Sequence, residues 1–146
     1  NGTAEPKHVS RFVSFQRFTM RAYVDSEIMI RHLRGKRKAL KFLRQLSENP
    51  AYELWTGVLN RSEILSSMHV GEEDNTLLFL SHFKTALINQ EIADMSAELY
   101  RQWNPTYGVD MNAALLAATA IRTGGRIFCL NKMMYPMPEV SVQKAW

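Results

Sequence analysis

The chain has 146 residues, with 18 Lys and Arg against 14 Asp and Glu, a formal net charge of +4. That length suits one domain, and 46% hydrophobic with 22% charged residues excludes a disordered chain. The one cysteine in the sequence, Cys129, excludes a disulfide framework within it and a cysteine-built zinc site, and points to a reducing, cytoplasmic compartment.

No apolar run approaches the roughly 18 residues of a bilayer-spanning helix, so no membrane association is expected. Residues 1–19 hold Lys7, Arg11 and Arg17 against Glu5, a net of +2, which is half of the surplus. This stretch lacks the apolar core of a secretory signal and reads as a leader or extension ahead of a domain over 20–146. Phe12, Phe15 and Phe18 recur every three residues, a spacing that suits a short packed helix.

Met20 opens a strand pattern, with the first strand over 21–24. A helix follows over 26–33. Gly35 breaks it, and helical spacing resumes over 38–46 through Leu40, Leu43 and Leu46. Asn49-Pro50 is a turn, and 53–58 reads as a second strand. Asn60 stands where it would cap a helix running to about 68, with Glu63 three residues on, in capping-box spacing. An amphipathic helix over 72–82 presents Leu77, Leu78 and Leu80, and a short third strand covers 85–88. The next helix, 91–103, lines up Ile92, Met95 and Leu99, and Asn104-Pro105 with Gly108 reads as a loop. Asp110 takes an N-cap position ahead of the Ala-rich helix 113–121, which Gly124-Gly125 ends. An apolar fourth strand spans 126–130, and 140–142 is a candidate fifth. Strands alternating with helices predict crossover connections and a mostly parallel α/β sheet of four or five strands, covered on both faces.

In open α/β sheets ligands bind beyond the carboxyl ends of the strands. Asp25 follows the first strand, Glu63 lies in the helix after the second, Asp110 heads the helix into the fourth, and Asn131 follows the fourth. Carboxylates without His or Cys partners suit hard divalent cations, Mg²⁺ or Mn²⁺. Such ions generate hydroxide and stabilise the oxygens of a phosphodiester displacement. Each residue also has a plain reading. Asp25 and Asp110 are placed as N-caps, Glu63 as the far end of a capping box, and Ser26 as a first-turn residue or a donor to the acids. The basic run Arg31, Arg34, Lys36, Arg37, Lys38, Lys41 and Arg44 suits phosphate binding or a solvated helix face. His32, His69 and His82 are scattered, Cys129 reads as inert core, and Trp55 and Trp103 read as core or interface. The patch at 133–137, Met-Met-Tyr-Pro-Met, is either a partner surface or a core edge.

From Met20 onward the chain resembles PIN-domain proteins, and specifically the VapC-like toxins of toxin–antitoxin pairs. Tyr23-Val24-Asp25-Ser26-Glu27-Ile28 is similar to the family's opening hydrophobic-Asp-Thr/Ser-x-hydrophobic. Arg61-Ser62-Glu63-Ile64-Leu65 is similar to its Ala-Glu-Leu helix. Ala114-Leu115-Leu116-Ala117-Ala118-Thr119-Ala120 resembles its Asp-Ala-Leu-Ile-Ala-Ala-Thr-Ala block, and Ile127-Phe128-Cys129-Leu130-Asn131 its Leu-Val-Thr-x-Asn strand. The resemblance implies a three-layer α/β/α sandwich, an acidic Mg²⁺ or Mn²⁺ pocket, endoribonuclease activity, a homodimer and a small VapB-like antitoxin partner. It implies that Asp25 and Glu63 bind the metal, that Asn131 sits beside the pocket, and that Cys129 replaces a common Thr.

The chain departs from this pattern at Ala113, where the family block carries Asp. Asp110, three residues earlier, projects from the same face of the helix start and would retain one carboxylate. A fourth family acid, in Asn-x-x-Asp-Phe, has no counterpart in Asn131-Lys132-Met133-Met134-Tyr135. Two readings follow. One is a metal-dependent ribonuclease, weakened or inactivated by Ala113. In it Asp25, Glu63 and Asp110 hold the ion, and Arg31, Arg34, Lys36, Arg37 and Lys38 attract RNA. The other is a catalytically silent PIN-fold module that binds an antitoxin or RNA.

Overall fold

The computed structural model describes residues 19–146, so residues 1–18, with the helix expected at Phe12, Phe15 and Phe18, lie outside the described residues. Five strands form one sheet: β1 (Met20–Val24), β2 (Tyr52–Gly57), β3 (Lys84–Ala86), β4 (Arg126–Cys129) and β5 (Ser141–Lys144). Their order is β3-β2-β1-β4-β5, and every neighbouring pair is parallel. Six α-helices cross between them: α1 (Ser26–Leu33), α2 (Arg37–Glu48), α3 (Val58–Ser66), α4 (Glu73–Leu80), α5 (Gln90–Tyr107) and α6 (Met111–Thr123). Among the described residues no helix is long and apolar enough to cross a membrane.

The two-residue period of a strand sorts its side chains between two cores. Ala22, Val24 and Phe128 point to one face and pack with Ile28 and Met29 of α1, Leu43 and Leu46 of α2, Ile64 of α3 and Leu80 of α4. Tyr23, Ile127 and Cys129 point to the other face, against Ile92 and Leu99 of α5 and Ala114, Ala117, Ala118 and Ala120 of α6. This is the three-layer α/β/α sandwich, with a fully parallel sheet buried on both sides. The chain moves from β1 to β2 and β3 on one side, then returns to place β4 and β5 on the other. The order therefore reverses between β1 and β4, which is where such sheets open a binding crevice.

Two local expectations need correction. The helix after β2 starts at Val58 with Gly57 in the capping position, so Asn60 is not the cap and no capping box forms. Asn60 lies buried inside the helix, and its side chain folds over Gly57, where a Cβ would stand 2.6 Å from Oδ1. Glu63 is thereby released from the capping role the spacing suggested. The loop expected at Asn104-Pro105 is the last part of α5 instead. The missing Pro105 N–H falls near the helix end, where few ladder bonds remain. Gly108 then closes the helix with a left-handed φ of 68°, its N–H donating to the Asn104 carbonyl at 2.9 Å. The Asn104 side chain secures the exit by donating to the Val109 carbonyl at 3.0 Å.

Candidate metal and nucleic-acid site

β1 delivers Asp25 to the crevice. The Asp25 backbone N–H donates to the Phe128 carbonyl at 3.0 Å, which pins the end of β1 to β4. Its side chain caps α1, Oδ1 accepting the Glu27 N–H at 3.1 Å. Asp25 is only 6% exposed. Ser26, also buried, lies between two acids: its hydroxyl is 3.2 Å from Glu63 Oε2 and 3.4 Å from Asp25 Oδ1. Asn112, in the first turn of α6, donates to Glu63 Oε1 at 3.4 Å. Asp110 caps α6, its Oδ1 accepting the Ala113 N–H at 2.8 Å.

The electrostatics follow from this crowding. Partial burial raises the Glu63 pKa, the Ser26 hydroxyl opposes that shift, and the charges of Asp25 and Asp110 add to it. Glu63 therefore feels both other acids. Burial, then the charge of Asp25, holds the Tyr135 phenol well above its usual range. Burial, again with the charge of Asp25, pushes the Cys129 thiol up to about 11, which makes it the inert core residue the sequence suggests.

The expected site residues divide into three groups. Asp25, Ser26 and Glu63 form one hydrogen-bonded cluster. Asp110, Ala113 and Asn131 line a neighbouring recess of about 180 Å³ with Tyr107, Met133 and Met134. Among the described residues no three His, Cys, Asp or Glu stand together as a ligand set. The donors present are nevertheless all oxygens, which is the chemistry of Mg²⁺ or Mn²⁺, and such ions bind through one or two carboxylates while keeping several waters. Asp25 and Glu63 are the pair that fits this description.

The basic run forms the third group, and it is divided too. Arg31 pairs with Glu27, and Arg34 pairs with Glu72 at 2.9 Å while donating to the Ser67 carbonyl at 2.7 Å. Lys36, Arg37 and Lys38 are exposed. The eight-residue α1 separates them from Asp25 by about 12 Å of helix length. Among the described residues His32 stacks on Phe79, while His69 and His82 are exposed. Trp55 and Trp103 pack half-buried against the core. In the 133–137 patch Tyr135 and Met137 are buried at the core edge, while Met133 is 68% exposed.

Sequence reasoning missed two residues. Asn112 contacts Glu63 across 49 positions, and the Tyr135 hydroxyl donates to Asp25 Oδ2 across 110.

Comparison with known proteins agrees with this architecture. Residues 22–138 match the family model described as PIN domain. Ribonuclease VapC19 of Mycobacterium tuberculosis H37Rv is 30% identical over 115 residues, covering 78% of this chain and 91% of its own. A toxin–antitoxin complex from Klebsiella pneumoniae superposes with a TM-score of 0.69 at 23% identity, covering 86% of this chain and 98% of that one. VapBC2 from Rickettsia felis, bound to a promoter DNA fragment, gives 0.69 at 17% identity with the same coverage. At those identities the two structures speak for the fold alone.

Proposed function

The chain belongs to the PIN-domain family, and on that premise we propose that it is a VapC-like toxin, an endoribonuclease that hydrolyses RNA phosphodiesters with Mg²⁺ or Mn²⁺. The observation that carries this reading is the Asp25–Ser26–Glu63 cluster at the reversal point between β1 and β4. Identity to a named ribonuclease across most of both chains supports the same activity.

In this reading Asp25 and Glu63 hold the ion. When bound, it would supply an activated water and charge for the displaced oxygen. The chain's own residues do the preparation. The backbone bond to Phe128 and the cap on α1 fix the Asp25 carboxylate. Ser26 keeps two like-charged side chains converging, and Asn112 orients the far oxygen of Glu63. Asp110 adds negative charge from the head of α6, while Asn131 starts the turn after β4, its Oδ1 accepting the Met133 N–H at 3.0 Å. The exposed Lys36, Arg37 and Lys38 contribute long-range attraction to RNA rather than contact at the acids.

The proposed partner is a VapB-like antitoxin in the cytoplasm. An apolar recess of about 430 Å³, lined by Leu40, Leu43, Leu54, Phe79 and Phe83 with Arg44 at its side, is the surface that supports one. Exposed apolar side chains at Tyr107, Met111 and Met133 support a homodimer.

One observation favours a second reading, a catalytically silent binding module. Ala113 removes an acid from the recess, and no three-acid ligand set stands among the described residues. An RNA cleavage assay with Mg²⁺ or Mn²⁺ separates the two. The ribonuclease reading expects cutting by this chain or, more strongly, by Ala113→Asp. If neither cuts while Ala113→Asp takes up metal, the silent module is correct.

A further inference from the structure

Tyr135 is an unusual neighbour for an acid site. It is 5% exposed, and its hydroxyl reaches Asp25 Oδ2 while the capping bond from Glu27 engages Oδ1. Each carboxylate oxygen is thus held by its own donor. The delivery of this ring is also built. Asn131 accepts the Met133 N–H at its side chain and the Met134 N–H at its backbone, and the Tyr135 N–H donates to Lys132 at 3.0 Å. Met137, 2% exposed, anchors the chain beyond it. The single turn after β4 therefore does one identifiable thing at the crevice: it presents a neutral O–H donor to Asp25, in a segment that carries no acid.

We propose that Tyr135 is the positioning residue for Asp25, with Asn131 acting through it, so that a hydrogen-bond donor does the orienting in a site that Ala113 leaves one acid short. The proposal rests on Asp25 being a metal ligand, as read above. Carboxylates that bind metals are themselves held by outer hydrogen bonds, and removing such a partner typically lowers metal affinity about 10–100-fold. A phenol bonded to a buried carboxylate is of this kind, because a charged acceptor makes the bond strong and removing the donor leaves a buried acceptor short of a partner.

The test is Mn²⁺ binding, followed by water-proton relaxation, in the unaltered chain, Tyr135→Phe and Asn131→Ala. A thermal double-mutant cycle of Tyr135→Phe with Asp25→Asn is run without metal. The proposal expects about 10–100-fold weaker Mn²⁺ binding in Tyr135→Phe and a smaller loss in Asn131→Ala, with the two apo melting losses non-additive. Unchanged Mn²⁺ affinity in a folded Tyr135→Phe would overturn it, as a merely structural tyrosine would give that result. Tighter binding would overturn it as well, because the hydroxyl would then be competing with the ion. If the unaltered chain takes up no Mn²⁺, the metal reading fails and the role of Tyr135 toward an ion fails with it. Additive melting losses would separately remove the Tyr135–Asp25 coupling.

Discussion

The carboxylate of Asp110 accepts the backbone N–H of Ala113 at 2.8 Å. The acid that the sequence offers as a substitute is thus tied to the very residue that has lost one. Capping leaves Asp110 its second oxygen and fixes the carboxylate at the head of α6, lining the recess with Ala113, while its charge still acts on Glu63.

Ala113→Asp should restore charge at a position that is 4% exposed and lies in the first turn of α6. Without metal the added carboxylate meets Asp110 and the field of Asp25 and Glu63, so the melting temperature should fall. With Mn²⁺ that loss should reverse, because an ion bound only by the folded chain stabilises it. Thermal melts with and without Mn²⁺ check the crossing, together with a rise in Mn²⁺ affinity from the added carboxylate.

Glu63→Gln tests the crowding of acids. In the folded chain the Glu63 carboxyl holds its proton more tightly than its ordinary value of 4.5. Stability from this group is therefore greatest below that pH, where it is protonated in both states, and is lost as pH rises through the raised folded value. Glu63→Gln should melt higher than the unaltered chain at pH 7, and the difference should shrink toward pH 4. A variant less stable at pH 7 than its parent would mean that the bonds from Ser26 and Asn112 outweigh the repulsion.

Gly125→Ala should destabilise the fold without touching the acids. A Cβ there would lie 2.4 and 2.6 Å from the Tyr23 ring and 3.1 Å from the Arg21 carbonyl. Tyr23 is fully buried and tethered by its hydroxyl to Thr123 at 2.8 Å, so the ring has no free direction to move. Overpacking of this kind costs about 1–3 kcal/mol, readable by urea denaturation.

Replacing Lys36, Arg37 and Lys38 together by Ala should weaken RNA binding uniformly across sequences and reduce its salt dependence. The log–log slope should fall by about 0.7 for each phosphate of a single strand that is no longer neutralised. Arg34→Ala should act differently. It removes the pairing with Glu72 and the bond to the Ser67 carbonyl, so it should lower thermal stability before it changes RNA affinity.

Much of the architecture was legible because burial writes itself into periodicity. The apolar runs at β1 and β4 and the Ala-rich α6 with its closing Gly124 sit where their patterns place them. Asn60 and Pro105 misled for the same physical reason: local signals for a cap and a breaker were overridden by neighbours, Gly57 in one case and the Asn104–Val109 closure in the other. At the site, the topology rule brought Asp25 and Glu63 to one edge of the sheet. It did not predict that Ser26 would bridge them, nor that Asp110 would be held by capping Ala113. Tyr135 was hidden because nothing local in a chain announces an interaction with a residue 110 positions away.

The most direct measurement is cleavage of a single-stranded RNA by the unaltered chain, Ala113→Asp and Asp25→Asn, each with Mn²⁺ and with EDTA. The account predicts Mn²⁺-dependent cutting that is stronger in Ala113→Asp and abolished or nearly so in Asp25→Asn, which removes a metal-holding group. Cutting by a folded Asp25→Asn at the rate of its parent, or cutting that survives EDTA, would contradict it.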